Sequence, residues 1–472
     1  MKKSSLLVVL LGAVFCLSPL AAMAQKFVTS EDAIMMELRM DQDKKDRLTK
    51  KHASLADSYR SELFNRFIAY TQLDSQSKED DSVEFPMNDN LRRTAAVLYE
   101  EVKTFGFKSF LSKDQYIYIH IPSNLKYDVP VLGLSAHYDT TPEIEGSGIK
   151  AQIYKNYGGG DIVINKEKGL IINPQNNPHL AKCVGKTVVT SDGTTMLSGD
   201  DKAGVAIVMT LAKTLADNPN IKHGPIQIVI TPNEDIGMSA DRLDLKYYKP
   251  DFAFDFDGGV DGEIIAENFS AELYKIAFKG RAAHPSVAKE HDMLDPNEIG
   301  SGFVASLPAK LWPQHSEKKE PYLHVYDMEK RGDQMIVSAR SRYFDRNDGT
   351  AIDSIVRHKA DSVAHAFRTQ VEIQRSKQYE NVKYGVNPKA AELVSKAAKD
   401  AGVTPRLIAE RAGTTTAMMM AKWGFGGYTI FTGQVNPHAY TEWLSEQDMF
   451  DAYRTGLNLV KEVAQLKTEK KK

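Results

Sequence analysis

Residues 228–237 read IVITPNEDIG: an apolar, β-branched run stops at Pro232 and is followed by two adjacent carboxylates, Glu234 and Asp235. A short run of this kind reads as a buried strand, so the acids stand where the strand leaves the core. Two further segments share the design. VPVLGLSAHYDT (129–140) and FAFDFDGG (252–259) are rich in Val, Leu and Phe and close in His or Asp. Between the first and GPIQIVITPNE (224–234) lies DDKAGVAIVMTLAKTLADN (200–218), whose Val208, Leu211, Ala212 and Leu215 form a helical stripe. Strands alternating with helices predict an α/β domain with a mostly parallel sheet.

Working outward, residues 271–376 follow another pattern. AELYKIAFKG reads as a strand, 295–307 as a helix, YLHVYDMEKRGDQMIVSARSR as a hairpin turning at Gly332, 350–367 as a helix and QVEIQR as a last strand. This β-α-β-β-α-β order is the ferredoxin-like signature and predicts one inserted domain. The α/β domain resumes with a helix at 388–401 and the strand GGYTIFTG at 426–433. The expected division is therefore 25–270 and 377–472 for the α/β domain, 271–376 for the insertion, and 1–24 as a leader. Ahead of the first strand, a charged stretch carries Leu63, Phe64, Phe67 and Ile68 at helical spacing.

The leader has Lys2 and Lys3, the apolar run LLVVLLGAVFCL and then AAMA, the pattern of a cleaved signal peptide ending after Ala24. The run is shorter than the roughly 20 residues that span a bilayer, so the expectation is an exported protein, periplasmic or secreted, without a stable membrane anchor. Cleavage would leave Cys183 as the sole cysteine, with no intrachain disulfide. A formal charge of −2 over 472 residues gives no global bias toward nucleic acid.

Ligands of open parallel sheets bind at the carboxyl ends of the strands. There this chain places His137 and Asp139, Asp200 and Asp201, Glu234 and Asp235, Asp257 and, late in the chain, His438. Taken singly, Asp200 or Asp201 could cap the helix that follows, Asp257 could start the turn at Gly258-Gly259, and His438 could be an ordinary loop residue. Taken together, so many acids without basic partners would repel one another unless a cation sits among them. Mixed imidazole and carboxylate donors favour zinc, manganese, cobalt or iron over calcium or magnesium, and there are enough donors for two ions sharing a carboxylate.

The segments AHYDTTP, NYGGGDI, TSDGTTMLSGDDKAG, TPNEDIG, DFDGGVDGEIIAENF, HPSVAK, YFDR and IFTG, in that order, make the chain similar to the peptidase T branch, the tripeptide aminopeptidases, of the di-zinc metallopeptidase family that includes carboxypeptidase G. That resemblance implies a di-zinc α/β domain interrupted by a lid or dimerisation domain, a short peptide as substrate, and the lid as the surface for a homodimer. It implies two Zn2+ per subunit, with Asp200 bridging, His137 and Asp257 completing one site, and Asp235 and His438 the other. It further implies Glu234 as general base, Asp139 as the carboxylate orienting His137, and a cis peptide between Asp200 and Asp201. His284 corresponds to a lid histidine that approaches the active site, and Arg342 and Arg411 to arginines that bind a peptide carboxylate.

The chain also departs from that pattern. ERAGTTTA stands where the branch has R-G-G-T-D-G-A, so Ala412, Thr415 and Thr416 replace Gly, Asp and Gly; Asp235 replaces a Glu, and Thr441 a second histidine. The expected activity is removal of the N-terminal residue from short peptides. The alternatives are a related carboxypeptidase, dipeptidase or deacylase reading another end of the substrate, and a non-catalytic peptide-binding relative.

Overall fold

The computed structural model describes residues 55–80 and 82–467. The expected leader at 1–24, the first part of the charged helical stretch and the end of the Lys-rich tail lie outside the described residues.

Along the chain come helices α1 (Arg60–Thr71) and α2 (Asp89–Lys103), then strands β1 (Lys108–Leu111), β2 (Ile117–Ile121) and β3 (Leu132–His137). Helix α3 (Gly199–Asp217) precedes β4 (Ile226–Thr231), β5 (Phe252–Gly258) and β6 (Glu263–Asn268). The inserted segment supplies β7 (Ser270–Lys279), α4 (Pro296–Ser306), β8 (Tyr322–Arg331), β9 (Gln334–Tyr343), α5 (Arg346–Ala366) and β10 (Val371–Tyr379). The chain then forms α6 (Ala390–Asp400), β11 (Arg406–Glu410), α7 (Thr415–Trp423), β12 (Gly427–Phe431) and α8 (Glu446–Val463).

An eight-stranded sheet has the order β1-β2-β4-β3-β5-β12-β6-β11. Its centre, β4-β3-β5-β12, is parallel throughout, as is the pair β6-β11. The pairs β1-β2, β2-β4 and β6-β12 are antiparallel, so the expected α/β architecture holds with a parallel centre inside a mixed sheet. The central strands are buried on both faces: β3 is buried at every position, and β4 at all but one. That is why they read as unbroken apolar runs rather than alternating ones.

Helix α3 packs on β3 and β5 and touches α1 and α8. Its contact with β5 is unusually close, because a Cβ at Gly204 would lie 1.8 Å from the Phe256 carbonyl oxygen. A buried ion pair ties the helices together: Arg66 on α1 donates to Glu101 on α2 (2.8 Å) and to Thr210 on α3 (2.8 Å). This buried guanidinium keeps its charge because the neighbouring carboxylate offsets its desolvation.

The inserted segment forms a separate antiparallel sheet, β8-β9-β7-β10, with α4 and α5 packed on one face. It has its own core of Ile276, Phe278, Ile299, Phe303, Val337, Ile352 and Val356. The sheet runs from Ser270 to Tyr379, slightly beyond the bounds read from the sequence. The end of β10, SKQY, is mostly polar and buries only Tyr379, so no hydrophobic pattern announces it. Helix α5 likewise begins at Arg346 rather than near 350, because Asp345 caps it by accepting a hydrogen bond from Asn347 N–H.

Gly204→Ala should lower unfolding stability by about 1–3 kcal/mol, since the added methyl must push α3 off β5 or shift a backbone carbonyl. Chemical denaturation with unchanged midpoint and slope would contradict this close approach.

Candidate metal centre

The carboxyl ends of β3, β4 and β5 meet the first turn of α3 and the loop after β12. His137 is the last residue of β3, and Asp257 lies near the end of β5. Beyond β4, Asn233 takes a left-handed backbone (φ 59°), a conformation Asn tolerates better than most residues, and this turns the chain just before Glu234 and Asp235. The Asn233 side chain holds the turn, donating to the Pro86 carbonyl (2.7 Å) and accepting from Ser77 Oγ (3.2 Å). At the start of α3, Asp200 and Asp201 have non-helical backbone angles, and the peptide between them is cis.

The side chains converge. His137 Nε2 lies 3.0 Å from Asp200 Oδ1, 3.7 Å from Asp257 Oδ2 and 3.9 Å from Glu234 Oε2. His438 Nε2 lies 2.8 Å from Asp235 Oδ1 and 3.3 Å from Asp200 Oδ2. Asp200 thus turns one oxygen to each imidazole. Among the described residues, three sets of donors fall within 4.8 Å of one another: His137, Asp200 and Asp257; Asp200, Asp235 and His438; and His137, Glu234 and Asp235.

Asp139 is the inner brace. Its Oδ1 lies 3.3 Å from His137 Nδ1 and accepts from Glu234 N–H (3.0 Å), while Oδ2 accepts from Asp235 N–H (3.2 Å) and Ser77 Oγ (2.6 Å). One buried carboxylate therefore orients an imidazole and fixes the backbone of both neighbouring acids.

Burial and mutual repulsion perturb the group strongly. Burial, then the charge of Asp200, raises Asp257 to about 8 and Asp235 to about 6. Glu234 is raised by burial and by Asp257 and Asp235. Burial also opposes ionisation of Asp200, but hydrogen bonds from His137 and His438 hold it below the ordinary carboxylate range. His137 is raised despite burial, first by Asp257. Asp235 Oδ2 is buried with no hydrogen-bond partner among the described residues. Two imidazoles, several carboxylates, one of them two-sided, and an uncommitted buried oxygen form a donor set that fits two divalent cations of the zinc type.

Of the other residues singled out in the sequence, Arg342 is buried, with its guanidinium 4.9 Å from the Tyr379 ring centre. Arg411 donates to the Lys318 carbonyl (2.7 Å) and Ser316 Oγ (3.0 Å) and stacks over Phe269, which ties it to the inserted domain's own chain. His284 is exposed on the inserted domain, where it caps a short 3-10 turn and pairs with Ser286; within this chain it is not among the converging donors. In the altered ERAGTTTA loop, Thr414 caps α7, and Thr415 Oγ1 is buried without a partner among the described residues.

Sequence reasoning missed Glu442 and gave Asp201 only as a strand-end acid that could cap the following helix. Asp201 accepts from His137 N–H (3.1 Å) and Gly204 N–H (3.0 Å), stitching β3 to α3. Glu442, four residues after His438, accepts from three backbone N–H groups: Leu197 and Ser198 through Oε2 (both 2.8 Å), and Asp200 through Oε1 (2.9 Å). It therefore fixes the turn that presents Asp200 from within the loop that carries His438. The available signal was an acid placed directly before Trp443, whose ring is fully buried.

The family model described as Peptidase family M20/M25/M40 matches residues 198–462. Peptidase T of Geobacillus sp. (strain WCH70) is 32% identical over 406 residues, covering 85% of this chain and 98% of its own length. Peptidase T of Halothermothrix orenii is 34% identical over 389 residues, with coverage of 81% and 94%. Among solved structures, aminopeptidase PepT from Bacillus cereus superimposes with a TM-score of 0.65 at 20% identity, covering 86% of this chain and 99% of that one. The Bacillus subtilis YXEP protein, described as a dinuclear metal binding peptidase from the M20 family, gives a TM-score of 0.57 at 15% identity, with coverage of 87% and 99%.

Glu442→Gln replaces one acceptor oxygen with a donor facing backbone N–H groups. Zinc affinity measured calorimetrically should fall by about 10–100-fold, the usual effect of losing a residue that orients a metal ligand. Unchanged affinity would separate Glu442 from ligand positioning.

Proposed function

Because the chain belongs to peptidase family M20/M25/M40, we propose that its acid and imidazole cluster holds two zinc ions and removes the N-terminal residue from short peptides, tripeptides foremost. The chain is a metallopeptidase of the tripeptide aminopeptidase kind. Asp200, His137 and Asp257 would hold one ion, and Asp200, Asp235 and His438 the other. The observation that carries it is the division of the two Asp200 oxygens between His137 and His438, 3.0 and 3.3 Å away.

Bound there, the cations would supply Lewis-acid polarisation of the scissile carbonyl and a lowered pKa for the attacking water. Glu234 is the residue that moves protons. Its Oε2 faces the cluster 3.9 Å from His137 Nε2, and its backbone is held by Asp139. The carboxylate takes a proton from water as the C–O bond forms and returns it to the departing nitrogen as the C–N bond breaks. The split of labour between adjacent residues follows from the Asn233 turn: Asp235 is turned to His438 at 2.8 Å, and Glu234 is left for acid–base work.

We further propose that the protein is exported and acts in the periplasm or outside the cell, on the strength of the Lys-Lys, apolar run and Ala-x-Ala order at its N-terminus. The inserted domain is the proposed homodimer surface, which would give the exposed His284 a route to the partner's cluster.

Two experiments bear on this. Glu234→Gln should retain zinc while tripeptide turnover falls by about 10²–10⁴-fold; full turnover would exclude it as the base. With wild-type protein, N-acetylation of a tripeptide should abolish cleavage and C-terminal amidation should not. The reverse pattern would assign the site to a carboxypeptidase or deacylase.

A further inference from the structure

On the face of the inserted sheet opposite α4 and α5 lies an arginine with nothing to neutralise it. Arg340 stands two residues before Arg342 on β9, so the two share a face about 7 Å apart along the strand. Its guanidinium stacks 4.3 Å from the centre of the Tyr326 ring, and Nε is buried without a hydrogen-bond partner. Among the described residues neither arginine forms an ion pair. Arg342 donates only to the Ser341 carbonyl (3.1 Å) and to Gln378 Oε1 (3.5 Å). His324, paired across the strands with Arg340, adds no acid, and its own pKa is lowered by burial and then by these two arginines. Half-buried cations without counter-charges are costly in a folded chain and mark a place where an anion is brought from outside.

The place is continuous with the metal centre. Arg342 lies over Tyr379 at the end of β10. Gln378, beside it, packs so closely on Gly237, three residues after Glu234, that a Cβ there would lie 2.8 Å from its Nε2. From Gly237, three residues after Glu234, the path thus runs through Gln378 to Arg342 and then to Arg340. A peptide whose scissile bond sits at Glu234 would extend its leaving side along this path. A C-terminal aspartate or glutamate carries two carboxylates, one for each guanidinium.

We propose that Arg340 is a specificity-determining residue that binds the side-chain carboxylate of an acidic C-terminal residue in the substrate, beside Arg342. This rests on the peptidase reading above. Its test is therefore a binding measurement that does not need turnover, with zinc-loaded protein and the leaving fragments Ala-Glu and Ala-Gln as probes. Wild-type protein should bind Ala-Glu at least about 10-fold more tightly than Ala-Gln, as expected for a charge-assisted bidentate contact. Arg340→Gln should remove that difference while hydrolysis of the neutral tripeptide Ala-Ala-Gln stays within about twofold of wild type, which also shows that the variant is folded. Equal affinities in wild type, or a preference that survives Arg340→Gln, would overturn the assignment. Failure of the underlying peptidase reading would appear separately, as no hydrolysis of either Ala-Ala-Gln or Ala-Ala-Glu.

Discussion

Carboxylates packed beside one another in a largely buried site are a liability, and the architecture around β3, β4 and β5 is organised to contain it. Asp200, Glu234, Asp235 and Asp257 approach one another with only two imidazoles between them. Left to itself such a cluster would spread apart or take up protons. It is held instead by acids that are not themselves among the converging donors. Asp139 grips the Glu234-Asp235 backbone, Glu442 grips the turn before Asp200, and Asp201 fastens that turn to β3. Each accepts backbone N–H bonds, and burial raises Glu442 to about 8 and also raises Asp201, where the charge of Asp257 adds to the effect.

This arrangement explains why the strands around it are so uniformly apolar. A rigid, doubly covered sheet brings several residues distant in the chain to neighbouring strand ends. The Gly204 contact belongs to the same requirement: α3 must lie directly on β5 for Asp200 to stand beside Asp257 and His137.

Much of this was legible in the sequence because the relevant signals were local. The apolar runs ending in His137, Asp257 and the Glu234-Asp235 pair are strands whose ends carry the donors, and the insertion showed itself by a change of order in strands and helices. The unread parts have physical causes. The antiparallel strands β1 and β2 are short, and β1 is partly exposed, so their periodicity is weak. Glu442 acts through backbone N–H groups that could be supplied by any residue, so nothing in its partners' identities points back to it. Arg411 reads as a carboxylate binder by residue type but is engaged by carbonyls of the 316–318 segment, a contact set by tertiary packing. Arg340 was invisible for the converse reason: a lone arginine in a strand signals nothing until its surroundings are seen to hold no acid.

The chain enters and leaves the inserted sheet at neighbouring points. Ala271 is paired with Tyr379, and Asn381 receives Asn268 N–H while donating its own N–H to Ser270 Oγ. With its two seams side by side and a hydrophobic core separate from the larger one, the insertion is a cassette. Exchanging it for another of the same span would leave the register of the eight-stranded sheet intact, so a lineage could acquire new tastes in peptides without reinventing its chemistry.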